Sequence, residues 1–206
     1  DEQEVRRFDT CLILHADHEL NASAFSARVT SSTLSGIYSS VMAAIGTLKG
    51  PLHGGANEQV ARMLLEIKSP DRLEAWLEAA LASGEKIMGF GHRVYKEGDP
   101  RAKILKAMSR EITREVGHPE MYEMSARLEE LMGQRKGLIC NVDFYSASVY
   151  HSMGIPIDLF TPVFATSRVA GWCAHVLEQY QNNRIYRPRG KYVGPTGEVY
   201  TPIDER

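Results

Sequence analysis

The chain has 206 residues, 43% of them hydrophobic and 24% charged, a balance that suits a globular protein with a sizeable core. A formal charge of -2 without any long basic run argues against a nucleic-acid partner or a polybasic membrane surface. No window reaches the apolar length of a membrane helix, and Asp1-Glu2-Gln3-Glu4 is unlike a secretory leader, so the reading is a soluble chain with no membrane partner. The odd set Cys11, Cys140 and Cys173, each in an apolar run, points to buried reduced thiols in a reducing compartment. The first residue is not methionine, which suggests a fragment or a processed product.

Residues 5 to 20 place the apolar run Cys11-Leu12-Ile13-Leu14 before His15-Ala16-Asp17-His18-Glu19, so a buried element is expected to deliver two histidines to a rim. Ala22 stands where His-Glu-x-x-His would need its second histidine, and no metal is expected. Ala22 to Leu48 reads as helix, broken or kinked near Ser35-Gly36, with small residues crowding one face.

Gly50-Pro51-Leu52-His53-Gly54-Gly55-Ala56-Asn57 follows, with His53 between a proline and two glycines that can take positive φ and admit a close neighbour. Val60, Met63, Leu64 and Ile67 then repeat at helical spacing, which puts His53 at or just before a helix N-terminus. The positive end of that helix would hold its imidazole neutral near pH 7, a hydrogen-bond donor without charge. The alternative is a tight corner in which His53 only packs.

Pro70-Asp71 opens a structural helix through Leu73, Trp76, Leu77 and Leu81 that stops at Ser83-Gly84. Gly89-Phe90-Gly91-His92-Arg93-Val94-Tyr95-Lys96 is a second glycine-flanked histidine, read as a loop that a ligand can press against. Asp99-Pro100 then caps a helix with Ile104, Leu105, Met108 and Ile112 inward. Arg101 in its first turn opposes the helix dipole, at about 0.3 to 1 kcal/mol, unless an anion uses both the guanidinium and the free N–H groups. Pairing with Glu97 is the alternative.

A further amphipathic helix spans Glu120 to Arg135. Asp143, in Asn141-Val142-Asp143-Phe144-Tyr145, has two readings: a helix cap of lowered pKa, which local sequence favours, or a desolvated carboxyl able to take a proton. Asn141 capping in its place would free it. The last long helix, about Pro162 to Asn182, carries Arg168 among Phe164, Val169, Trp172 and Leu177, where it must be ion-paired or aimed at an anion. Arg184, Arg187, Arg189 and Lys191 stud an irregular tail, whose Tyr192-Val193 and Val199-Tyr200 carry the chain's few strand signals. The class is all-α.

His18, His53, His92, Asp143, Arg101, Arg168 and Arg187 are thus the residues set against local rules. As a set they suit carbon-carbon bond formation between a dicarboxylate and a carbonyl compound activated as its enol. Arginines clamp carboxylates, neutral imidazoles donate to carbonyl oxygens, and an aspartate takes a carbon-bound proton.

The segments His15-Ala16-Asp17-His18-Glu19, Gly50 to Asn57, Gly89 to Tyr95, Asp99-Pro100-Arg101, Asn141 to Ser146, Phe164 to Arg168 and Arg184 to Arg189 occur in an order that closely resembles the citrate synthase family. The resemblance implies an almost entirely helical two-domain fold, with residues 57–158 as the small closing domain and residues 1–56 and 159–206 belonging to the large one. It implies a cytoplasmic homodimer and an acyltransferase of the tricarboxylic acid cycle that condenses acetyl-CoA with oxaloacetate, then hydrolyses citryl-CoA; acetyl-CoA is a substrate and no cofactor is expected. Asp143 would take the methyl proton, His53 would stabilise the enol oxygen, and His92 would polarise the keto group. His18, Arg101 and Arg168 would hold oxaloacetate, with Arg187 reaching the partner's site. Met88, Gly89, Phe90, Gly91 and Lys96 would lie against CoA. A 2-methylcitrate synthase using propionyl-CoA would share these residues, and a non-catalytic helical interaction module is the reading from another class. Family members carry a further helical stretch upstream, so the chain resembles the C-terminal part of such a protein and is expected to be nearly inactive and aggregation-prone alone.

Overall fold

A computed structural model describes all of residues 1–206 and contains nine α-helices and no strand pair. They are α1 (Glu2–His15), α2 (Ala22–Ser31), α3 (Ile37–Leu48), α4 (Ala56–Ile67), α5 (Leu73–Ala82), α6 (Pro100–Glu115), α7 (Pro119–Lys136), α8 (Val142–Ser152) and α9 (Phe160–Gln181). The fold class is the all-α one that the periodicities predict.

Local capping explains most boundaries. Asp1 and Glu4 form a reciprocal capping box on α1. Asp99 caps α6 with Pro100 at its first position, and Gly137 closes α7 in the left-handed conformation. The break between α2 and α3 falls at Gly36, where φ is 96°.

Two apolar clusters result. The larger joins Cys11 of α1 to the inward faces of α4 to α8 and to Phe160 at the start of α9. The smaller packs Ala24 and Ala27 of α2 and Ala44 and Leu48 of α3 against Phe164, Trp172 and Val176 of α9. Alanine on both faces lets α2 and α3 close tightly. α9 therefore belongs to both clusters, and the cleft between them opens beside its first half.

Four local expectations are corrected. The tail after Gln181 forms no strands; apart from a short helical turn at Ile203–Glu205 it is irregular and exposed, with no second segment to pair against. Neither Gly54 nor Gly55 has positive φ. What Gly54 supplies is closeness: a Cβ there would stand 2.4 Å from Leu48 Cγ. His15 is fully buried rather than on a rim, with Nδ1 against the Cys11 carbonyl at 2.8 Å. Finally, α8 is capped by Asn141, whose Oδ1 accepts from the Asp143 N–H at 3.1 Å, so Asp143 is not the cap. No helix is long and apolar enough to cross a membrane.

Candidate functional site

The cleft holds a cavity of about 450 Å³ whose walls include His18, His53, His92, Arg101, Asp143 and Arg168. Six of the seven residues singled out by sequence thus meet in one place. They arrive from six places in the chain: the α1–α2 loop, the turn before α4, the loop before α6, the start of α6, the start of α8, and the first half of α9.

Asp143 is the second residue of α8. Because Asn141 has taken the cap, its Oδ1 is buried without a hydrogen-bond partner. Burial raises its pKa to about 7, against the opposing pull of Arg101 and Arg168. A carboxyl of that kind is balanced between holding and taking a proton near neutral pH.

His53 sits just ahead of α4, with Nε2 2.8 Å from the Ser23 hydroxyl and 3.3 Å from the Ser23 N–H, which has no acceptor within its own helix. Trp172 Nε1 in turn donates to the Ser23 oxygen at 3.0 Å. The Ser23 O–H donates to Asn21 Oδ1 at 2.8 Å, so Nε2 accepts from the Ser23 N–H and the ring proton is assigned to Nδ1. Burial first, and the Arg168 charge second, bring the pKa of His53 down to about 4. The expected neutrality therefore holds, but desolvation and a neighbouring cation cause it where the helix dipole was expected to.

His92 accepts at Nδ1 from the N–H groups of Val94 and Tyr95, at 3.1 and 3.0 Å, which leaves the proton of its neutral ring on Nε2. Its ring stands edge-on to His18, with centroids 5.1 Å apart, and lies beside Tyr95 at 4.6 Å. Burial lowers the pKa of both His18 and His92, and Arg101 adds to the effect on each.

Arg168 is 2% exposed and has no carboxylate in ion-pairing range. Its Nε donates to the His15 carbonyl at 2.5 Å and its guanidinium stacks 4.7 Å over Phe164. Burial and Arg101 lower its pKa to about 10, so it stays charged at neutral pH. A buried cation without an anion suits a ligand that brings one. Arg101 does have a partner, but it is Asp99 rather than Glu97, at 2.8 Å.

Other candidates lie elsewhere. Arg187 is exposed and lines a separate cavity with Arg28 and Tyr186. Of the five residues expected against CoA, only Gly91 reaches the main cavity; Met88 packs on the larger cluster, and Phe90 lies against Phe144 with ring centroids 4.6 Å apart. Gly89 has a φ of 82°, and a Cβ there would collide with Phe144 and Val60 at 2.8 Å. Lys96 is exposed, with Nζ donating to the His92 carbonyl at 3.3 Å. Sequence reasoning passed over Ser23 as the support of His53, although it lies within the Asn21-Ala22-Ser23 run that follows the histidines. No group of His, Cys, Asp and Glu that could hold a metal ion is present.

An all-α cleft of two cations, uncharged imidazoles and a near-neutral acid is of a class suited to carbonyl and carbon-acid chemistry on anionic ligands. The family described as "Citrate synthase, C-terminal domain" matches residues 1–189, and the chain belongs to the citrate synthase family. It is 61% identical over 203 residues to citrate synthase 2 of Bacillus subtilis, covering 98% of this chain and 55% of that protein. It is 50% identical over 198 residues to a 2-methylcitrate synthase of Shewanella oneidensis, covering 96% and 53%. The fold superposes with a TM-score of 0.92 at 43% identity, over 100% of this chain and 56% of the other, on citrate synthase from Thermoplasma acidophilum in ternary complex with carboxymethyl coenzyme A and oxaloacetate. The chain thus spans about half the length of the curated relatives it matches.

Proposed function

We propose that this chain supplies the acid-base and oxaloacetate-binding groups of a citrate synthase, which joins acetyl-CoA to oxaloacetate and hydrolyses the citryl thioester. The observation that carries the reading is the unpartnered Asp143 Oδ1, held at a pKa of about 7 in the same cavity as two guanidinium groups and three neutral imidazoles.

Asp143 takes a methyl proton from the thioester while His53 donates Nδ1–H to the carbonyl oxygen where negative charge develops. The resulting enol carbon attacks the keto carbon of oxaloacetate, whose oxygen is polarised by the Nε2–H of His92. Such fixed donors in a water-poor cleft stabilise developing charge far better than solvent does. Arg101 and Arg168 hold the carboxylates, with His18 beside them. Water then cleaves the thioester to give citrate and CoA.

The outlying residues fit a larger assembly: Arg187 completes the site of a partner copy in a homodimer, and Gly91 with the loop from Met88 to Lys96 faces CoA. Residues 57–158 form a domain that closes on residues 1–56 and 159–206. The 2-methylcitrate synthase relative favours one second reading, the same chemistry with propionyl-CoA. An extra methyl group is discriminated by only about 1–3 kcal/mol in such a pocket.

The test is turnover of the complete enzyme that carries this chain with oxaloacetate and each thioester. A higher kcat/KM for acetyl-CoA is expected. A preference for propionyl-CoA selects the second reading, and no condensation with either thioester overturns both.

A further inference from the structure

Asp99 does more than cap its helix. Its side chain is sealed from solvent and its carboxylate accepts four hydrogen bonds. Oδ1 takes the Arg101 N–H and Nε, both at 3.0 Å; Oδ2 takes Arg101 Nη2 at 2.8 Å and the Val142 N–H at 3.1 Å. A carboxylate offers about four lone-pair positions, so this one is saturated. An ordinary cap serves the N–H groups of its own helix. Here the fourth bond crosses to the first residue of α8, 43 positions along the chain and next to Asp143.

The Asp143 N–H is already served by Asn141, so Asp99 takes the one free N–H beside it. One side chain therefore grips both a cation of the cavity and the helix start that carries its acid.

We propose that Asp99 is a positioning residue, which sets Arg101 for a substrate carboxylate and, through the Val142 N–H, sets where α8 presents Asp143. The inference rests on the reaction proposed above. It explains why Arg101, in a helix first turn, is tolerated without a ligand: Asp99 supplies the countercharge through Nε and Nη2, Nη2 also lies 3.4 Å from His92 Nε2, and Nη1 is left for a ligand.

The groups that bear on the charge of Asp143 are Arg101 on α6 and Arg168 on α9, which lower its pKa, and Asp99, which raises it. The imidazoles of His18, His53 and His92 share the cavity and are uncharged at neutral pH. Neutralising Asp99 thus leaves Asp143 among cations alone and moves its deprotonation to lower pH.

The test compares wild type, Asp99→Asn and Asp99→Glu in the complete enzyme, with oxaloacetate affinity read by calorimetry and the acidic limb read from the pH profile of kcat/KM. In Asp99→Asn an amide NH₂ faces donors, the grip opens, and oxaloacetate affinity falls by about 10²-fold, the order of loss expected of a misplaced anchoring group. Its acidic limb moves to lower pH. Asp99→Glu keeps the charge but displaces the carboxylate, so affinity falls while the limb stays in place; this variant decides the matter if Asp99→Asn does not fold. Combining Asp99→Asn with Arg101→Gln loses no more affinity than Arg101→Gln alone, because the first acts through the second. Unchanged affinity in Asp99→Glu, or losses that simply add in the double variant, overturns the positioning role. A wild-type enzyme that neither binds oxaloacetate nor turns it over sinks the underlying function instead.

Discussion

At Asp143 two demands conflict: a base must be free to take a proton, yet a buried carboxylate without partners is costly. The fold meets the first by giving the cap to Asn141 and softens the second with Arg101 and Arg168. Asp143→Ala should reduce turnover by about 10²- to 10⁴-fold, the range of a general base, while oxaloacetate affinity measured by calorimetry persists. For wild type, kcat/KM should rise with pH through about 7, because only the deprotonated acid takes the methyl proton. Ser23→Ala removes the hydroxyl shared by His53 and Trp172 and should cost about 1–3 kcal/mol of stability in denaturant titrations, with kcat falling more than KM for oxaloacetate rises. Residue types were legible from sequence wherever they broke a local rule, as Arg101 did in a first turn and Arg168 on an apolar helix. The Asp143 ambiguity was not, since Asn141 and Asp143 are both good caps and only the realised Asn141 Oδ1 bond separates them. Ser23, and the bond of Asp99 to Val142 beyond its role as a cap, escaped because these partners lie 30 and 43 positions away.

At the scale of elements, the cleft depends on how α8 begins. Asn141 caps the helix, donates from Nδ2 to the Gly91 carbonyl at 3.1 Å, and its N–H bonds the Gly89 carbonyl at 2.9 Å. The loop that carries His92 is thereby laced to the start of α8. Asn141→Ala should lower stability by about 0.5–2 kcal/mol as a lost cap, seen as a lower melting temperature. It should also weaken oxaloacetate binding, as His92 loses the register of its loop. Helix starts such as Asp99-Pro100 and stops such as Ser83-Gly84 were legible because capping is local chemistry. The role of Gly54 was not: its closeness to Leu48 belongs to the packing of one turn on another, which periodicity does not encode. The strand-like pairs of the tail failed for the complementary reason, since β propensity needs a partner strand to act on.

Over the whole molecule, the buried ionisable groups set opposing trends of stability with pH. His15 and His53 have folded pKa values of about 4, below the ordinary 6.5, through burial. Between those values the unfolded chain binds a proton at each that the folded chain does not, so their contribution rises with pH up to about 6.5 and is lost as pH falls toward 4. Asp143 behaves in the reverse sense. Between 3.8 and about 7 the folded chain holds a proton that the unfolded chain has released, so its contribution is full at low pH and declines as pH rises to about 7. Two histidines outweigh one aspartate below 6.5, which predicts stability that climbs from pH 4 to about 6.5. The Asp143→Asn substitution isolates the opposing component, because an amide of the same shape has no charge to desolvate. Relative to wild type it should be no more stable at pH 4 and progressively more stable up to pH 7, then level off, with a ceiling of ~4 kcal/mol from 1.36 kcal/mol per pKa unit. Melting temperatures of both proteins in the complete enzyme, scanned from pH 4 to 8, measure that difference. A constant offset across the range would mean that Asp143 has an ordinary carboxylate pKa, and the cleft would then lack the near-neutral acid on which its chemistry depends.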